Sequence, residues 1–274
     1  MTSLRHEARA AYGFVERNVN LVKRYWGWEL VYLVYSIANA LSVTFIGAGM
    51  ESISGQRVDT NHLILYLLIG TLVWGYLSTV FTLVSETIQW ERWEGTIEYT
   101  LIAPVSRFTH LVGTTLFSLV YGFVQAVLIL FAVSLFFRLD LSQANLLGGG
   151  LVLAAASVSF SALGMVGAVL PLLFPEKGVQ VVHVLQSLLL VVSGVYYPLS
   201  VLPPALRWAG YLSPATYVLQ GMRAALLDGA PVARLWPCIG ALLLLGLVLM
   251  PLGLWLFGLA ERYARRTGLL KRSG

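Results

Sequence analysis

Three carboxylates and two tryptophans are gathered in the polar segment QWERWEGTIEYTLIAPVSR, residues 89–107, which lies between two long apolar runs. A helix beginning near Glu86 and ending before Pro104 is expected here, because the residue ahead of a proline disfavours helical angles. At about 100° per residue it places Trp90, Trp93, Ile97 and Leu101 in one sector, with Glu91, Glu94 and Glu98 along an acidic edge beside it. An apolar strip next to an acidic one is recognition chemistry, suited to docking on a soluble partner that carries basic groups. The plain alternative is an interfacial helix with tryptophans at head-group depth. Acids are poor neighbours for an anionic leaflet, and Gly95 weakens a helix by about 1 kcal/mol relative to Ala. A protein-facing surface accounts for both.

Catalytic chemistry finds little support. Ser193 and His183 share one apolar run, but ten residues of helix separate them by about 15 Å, beyond the reach of a nucleophile and its base. The sequence contains no glycine-flanked serine elbow, no His-Glu-x-x-His pattern and no phosphate-cradling Gly-rich loop ending in Gly-Lys-Ser/Thr. Cys238 is the only cysteine, so an intrachain disulfide or a cysteine-based metal cluster is excluded. Any nucleotide energy must come from another polypeptide.

The elements that position the polar segment are membrane-like. Of 274 residues, 58% are hydrophobic and 11% charged, and the mean hydropathy is +0.77. Residues 30–50, 63–85, 108–137, 141–174, 178–206 and 235–260 lack Asp, Glu, Lys and Arg, and each exceeds the roughly 18 to 20 residues that span hydrocarbon as a helix. Six crossings follow, helical because a backbone in lipid must satisfy its own hydrogen bonds. Arg5, Arg9, Arg17, Lys23 and Arg24 precede the first run, while Arg262, Arg265, Arg266, Lys271 and Arg272 follow the last, so both termini are expected in the cytoplasm. Arg92, Arg107 and Lys177 then also fall inside, and Arg57, Arg138, Arg207, Arg223 and Arg234 outside. Basic residues split in this way serve insertion, and nucleic acid is not an expected partner despite a pI near 9.4.

Within the runs only His110 and His183 could relay protons, and His183 is expected to pack neutral against a neighbouring helix. Gln125, Gln143, Asn145, Gln180 and Gln186 are expected to bond between helices, at about 0.6 kcal/mol each. Residues 1–28 carry a stripe of Leu4, Ala8, Ala11, Val15, Val19, Val22 and Trp26 at spacings of three and four, the mark of an amphipathic helix lying on the membrane surface and of no cleavable signal peptide. In residues 194–229, Pro198, Pro203, Pro204 and Pro214 break a segment too apolar for an ordinary loop. A re-entrant pair of short helices on the outer side fits, with Tyr196, Tyr197, Trp208, Tyr211 and Tyr217 at the interface or lining an exit.

Two motifs carry a resemblance over nearly the whole chain. Residues 91–107 resemble the Glu-x-Gly-Thr-hydrophobic-Glu pattern of the permease subunits of ABC-2 exporters, with Gly95, Thr96, Glu98, Leu101, Pro104, Ser106 and Arg107 in the recognisable positions. Trp93 and Glu94 depart from it, standing where that family often has a basic or smaller residue. Residues 193–223, SGVYYPLSVLPPALRWAGYLSPATYVLQGMR, are similar to its outer hairpin. The resemblance implies an all-α membrane protein forming one ABC-2 type transmembrane domain over residues 1–274, with a cytoplasmic coupling helix at 86–104 and a re-entrant hairpin at 194–229. It implies a multi-pass inner-membrane permease that is not itself an enzyme. Such a permease pairs with a second permease, identical or not, and with two cytosolic ATP-binding subunits that hold ATP and Mg, so no cofactor is expected in this chain. Coupling falls to Trp90, Trp93, Glu94, Gly95, Thr96, Ile97, Glu98, Leu101 and Pro104, and the outer gate to Tyr196, Tyr197, Pro198, Pro203, Pro214 and Tyr217. The expected cargo is a small amphiphile, drug or lipid-like, moved outward. A polysaccharide or glycolipid cargo is the alternative, and a passive channel or an intramembrane enzyme are readings from other classes.

Overall fold

The computed structural model describes residues 4–269, which are helical with no strand among them. Helix α1 (Leu4–Arg24) is followed after one turn residue by α2 (Trp26–Ser54), which ends at Gly55. Asp59 caps α3 (Thr60–Glu94) by accepting from the His62 amide at 3.0 Å, and the short α4 (Ile97–Ile102) follows. Ser106 caps α5 (Arg107–Ser134), accepting from the Thr109 amide at 3.0 Å, and Asn145 caps α6 (Leu146–Gly167), accepting from the Gly148 amide at 2.9 Å. Then come α7 (Val169–Leu173), α8 (Gly178–Val192), a 3-10 turn at Leu199–Val201, α9 (Pro204–Tyr211), α10 (Pro214–Leu226) and α11 (Val232–Arg266).

Side-chain pairings give the direction of each helix. Glu29 pairs with Tyr121, Gln125 with Ser36 and Phe45 with Phe137, so α2 and α5 run the same way. Thr79 bonds Gln125 while Glu91 meets His110, so α3 runs against them. Tyr76 bonds Ser157 and Phe81 lies against Gly167, which sets α6 parallel to α3. Leu235 meets Gly148 and Gly253 meets Met165, so α11 follows α6. Gln186 donates to the Ser78 carbonyl and the Thr82 hydroxyl, and Gln89 donates to the Pro175 carbonyl, so α8 opposes α3. The described starts and ends of the chain therefore lie at one end of the bundle, and the outer-hairpin segment at the other. Buried aliphatic residues of α3, α6, α10 and α11, among them Val80, Phe160, Leu219 and Leu242, form the main core.

Five helical units are long and apolar enough to cross a membrane: α2, α3, α5, the pair α6–α7, and α11. The expected fifth run, 178–206, differs. Its helix α8 has 15 residues, a rise of about 22 Å against a hydrocarbon core of about 30 Å. Gly194 at φ +69° and Pro198 stop it early, and the chain folds back through α9 into α10, which is buried against α3, α6 and α11. The run 141–174 likewise breaks at Ala168, ahead of Pro171.

On α1 the central members of the expected stripe, Ala11, Val15, Val19 and Val22, are half-buried, while Ala8 on α1 and Trp26 at the start of α2 are exposed. Asn18 is buried beside them, and Phe14 lies on the His110 ring at 4.7 Å between centroids. Gly113 of α5 lets the two helices close, since a Cβ there would sit 2.8 Å from the Ala11 carbonyl oxygen. The face of α1 that meets α5 thus includes Ala11 of the apolar stripe together with Phe14. Lys271 and Arg272, expected beyond the last crossing, lie outside the described residues.

Candidate functional site

Gly95 decides the shape of the polar segment. It closes α3 in the left-handed conformation, φ +74°, and its amide donates to the Arg92 carbonyl, a C-terminal cap that favours glycine. The single helix expected over 86–104 is therefore two helices with a corner, and the sector shared by Trp90, Trp93, Ile97 and Leu101 does not survive the turn. Trp90 and Trp93 are exposed and meet edge to face at 5.3 Å, whereas Ile97 (0% exposed) and Leu101 (4%) are packed with Leu111, Leu172 and Phe257. Glu94, Glu98 and Pro104 are exposed and Thr96 is half-buried. Tyr99 (78% exposed) and Ile102 (76%), absent from the expected set, complete the outward face of α4.

The corner is pinned from within. Glu91, expected on the acidic edge, is buried: its Oε1 accepts from Arg17 Nη1 at 2.5 Å and lies 3.1 Å from His110 Nε2. Glu7 of α1 accepts from the Thr109 hydroxyl and, at 3.3 Å, from the Ser106 amide. Below α4, Arg107 grips Glu261 with two bonds, Nε to Oε2 at 2.9 Å and Nη2 to Oε1 at 2.7 Å, and Arg265 Nη2 reaches the same Oε1 at 2.7 Å. Both arginines also donate to the Leu101 carbonyl at 3.1 Å, satisfying a helix-end acceptor that α4 cannot satisfy itself. Arg92 Nη1 donates to the Leu269 carbonyl at 2.5 Å. Four elements, α1, α3, α5 and α11, thus hold α4 in place while its outer face stays bare. Paired and hydrogen-bonded charges of this kind give a fixed geometry rather than large stability.

At the opposite end the hairpin is held by hydrogen bonds to carbonyls. Arg223 of α10 donates to the Gly194 carbonyl at 3.1 Å and the Val195 carbonyl at 2.5 Å, with its guanidinium 3.5 Å from the Tyr66 ring centroid. Gly70 of α3 sits beneath the turn, where a Cβ would lie 2.3 Å from the Val195 carbonyl oxygen. Ser193 and Ser213 share a 2.7 Å bond, Tyr197 OH donates to the Val191 carbonyl at 2.5 Å, and Tyr217 OH to the Tyr211 carbonyl at 2.8 Å. Tyr196 reaches Thr71 of α3. Pro198 and Pro203 are exposed while Pro214 is buried at the start of α10, so the six expected gate residues do not form one surface. Trp208 and Tyr211 are exposed together, 6.1 Å apart.

Elsewhere, Gln125, Asn145 and Gln186 bond between elements, as in the 2.8 Å bond from Asn145 to the Ala230 carbonyl, whereas Gln143 and Gln180 are exposed. His183 is exposed, not packed, with Nδ1 3.3 Å from Gln186 Oε1 on its own helix. Arg17, Glu261, Arg265 and Arg223 were not among the expected site residues, and His110, singled out only as a proton-relay candidate, is instead a partner of Glu91. Pairings 74 or 154 residues apart in the chain leave no local pattern; the one available hint was that Arg107 and Arg223 close the two motifs.

A family model described as ABC-2 type transporter matches residues 14–227. The chain is similar to the inner membrane transport permease YadH of Escherichia coli (strain K12), 24% identical over 210 residues that cover 74% of this chain and 81% of that protein. Similarity of the same extent is found to the YadH permeases of Escherichia coli O157:H7 and Shigella flexneri.

Proposed function

The chain belongs to the ABC-2 type transporter family, and from that premise we propose that it is the membrane-spanning permease subunit of an ATP-driven exporter in the inner membrane. Its relatives are named inner membrane transport permeases, which supports the location and the transport role. In this reading the α1 end of the bundle faces the cytoplasm, in keeping with the basic residues on α1 and at the end of α11. A cytosolic ATP-binding subunit docks there, and a second permease completes the pathway.

The observation that carries the reading is the contrast within residues 90–104: Trp90, Trp93, Glu94, Glu98, Tyr99 and Ile102 are exposed on a corner whose inner side is locked by Ile97, Leu101 and the Arg107–Glu261–Arg265 cluster. Exposed aromatics rimmed by acids have the composition of an interface centre. A rigid corner continuous with α3 passes a push from a closing ATPase dimer into the bundle without absorbing it. Movement is outward, and the cargo is a small amphiphile, drug or lipid-like. The exposed Trp208–Tyr211 pair on α9 favours the second reading, a polysaccharide or glycolipid, because aromatic faces stack on sugar rings.

The test uses the permease purified from its native membranes in mild detergent with whatever ATPase accompanies it. Glu94→Lys together with Glu98→Lys, on exposed positions, is expected to leave insertion intact and to reduce transport-linked ATP hydrolysis at least tenfold. Gly95→Pro should do the same, since proline's φ near −65° cannot close α3 at +74°. Unchanged hydrolysis in both variants refutes docking at this corner.

A further inference from the structure

A groove of about 580 Å³ opens beside the docking corner, between α11 and the start of α5; the coupling reading uses its Arg107, Glu261 and Arg265 but not Leu254, Trp255, Gly258 or Arg262. Its wall on α11 changes character within three turns. Leu254, Trp255 and Gly258 form the apolar part, and Glu261, Arg262 and Arg265 follow at helical spacing, with Arg107 of α5 opposite. Trp255 is exposed and continues the exposed apolar side of α11 that includes Leu247, Val248 and Leu252. Three guanidiniums face one carboxylate. Glu261 is shared by Arg107 and Arg265, and Arg262 has no ion pair among the described residues, so the groove keeps an excess of positive charge.

We propose that this groove binds an anionic phospholipid, with the phosphodiester head group at Arg262 and Arg265 and acyl chain along Leu254, Trp255 and the space left open at Gly258. The charge complementarity is direct, and the apolar half decides between ligands of like chemistry. A free phosphate has no use for an exposed tryptophan set about two to three turns from the arginines, whereas a phosphoglyceride needs both. The position also fits, because an exposed apolar helix side that ends in tryptophan and then arginine marks the head-group level of a bilayer. A lipid held there would brace Arg107 and Arg265, the two residues that hold the Leu101 carbonyl of α4. The site would thereby connect bilayer composition to the docking corner.

The proposal is tested on the permease alone, so its outcome does not depend on whether an ATPase docks. Native mass spectrometry of the detergent-purified protein, given equal phosphatidylglycerol and phosphatidylcholine, should show preferential retention of phosphatidylglycerol. Arg262→Gln should lower that retention about fivefold, the factor equivalent to about 1 kcal/mol for one basic side chain near a lipid surface. Arg262→Lys should restore it, and Trp255→Ala should lower retention of both lipids. Arg262 and Trp255 are exposed, and unchanged thermal unfolding of each variant confirms the fold. Equal retention of the two lipids, or unchanged phosphatidylglycerol retention in Arg262→Gln, overturns the site. Displacement of phosphatidylglycerol by millimolar inorganic phosphate assigns the groove to free phosphate and overturns the lipid.

Discussion

The two ends of the bundle solve the problem of irregular backbone in opposite ways. At the α4 end, charged side chains from four helices converge on a corner and leave its outer face bare: Arg17 and His110 on Glu91, and Arg107 and Arg265 on Glu261. At the hairpin end no ion pair is found among the described residues. Instead Arg223, Tyr197 and Tyr217 donate to backbone carbonyls that prolines and Gly194 have left without helical partners. At the corner two buried carboxylates, Glu91 and Glu261, are each held by two partners, which compensates their burial and fixes geometry. At the hairpin each freed carbonyl is satisfied individually by a side-chain donor. The corner is thus built as a single stiff piece, and the hairpin as a set of separable local bonds.

The largest test of this contrast is Glu91→Ala. It strands Arg17 and His110 around an emptied buried position and should cost about 3 kcal/mol, read as a lowered unfolding temperature in detergent with α1 becoming protease-sensitive. If α1 stays protected, the pinning of the corner through Glu91 is wrong. At the hairpin, Gly70→Ala brings a methyl group within 2.3 Å of the Val195 carbonyl oxygen and should cost about 1 to 3 kcal/mol by overpacking. The loss should be local, with faster amide exchange across the 194–197 turn and none at the corner. The smallest stability effect belongs to Tyr99→Ala and Ile102→Ser on the bare face, within about 0.5 kcal/mol. These same variants should weaken binding of the proposed ATPase about tenfold in a pull-down titration. A large stability loss at Tyr99 would make that face structural.

Sequence and structure diverged most where helices end. Residues 86–104 contain the periodicity of one helix, and the weakness of Gly95 was visible. A glycine in a helical pattern is compatible with either a tolerated defect or a terminus, and only the packing of Ile97 and Leu101 against Leu111, Leu172 and Phe257 selects the terminus. Residues 178–206 show the same limit. Absence of charge signals apolar surroundings, and lipid and protein interior supply these equally, so a 15-residue helix that stops at the Gly194 turn read as a full crossing over 178–206. In α1 the centre of the apolar stripe is half-buried, and what the stripe could not show is the close approach at Gly113 and the bonds of Arg17 and Glu7 that fix the helix to its neighbours.

Composition alone determined that this chain is a helical membrane protein. The cost of exposing so much apolar side chain to water, and of unpaired backbone in lipid, leaves no other state. The two motifs were likewise sufficient to identify the family, since turn-forming glycines and prolines at set spacing are local requirements of the backbone. Tertiary structure decided which of the motif residues face outward. That choice rests on contacts such as Arg107–Glu261 between residues 154 positions apart, and the energy of such a contact depends on a neighbour that local sequence does not specify.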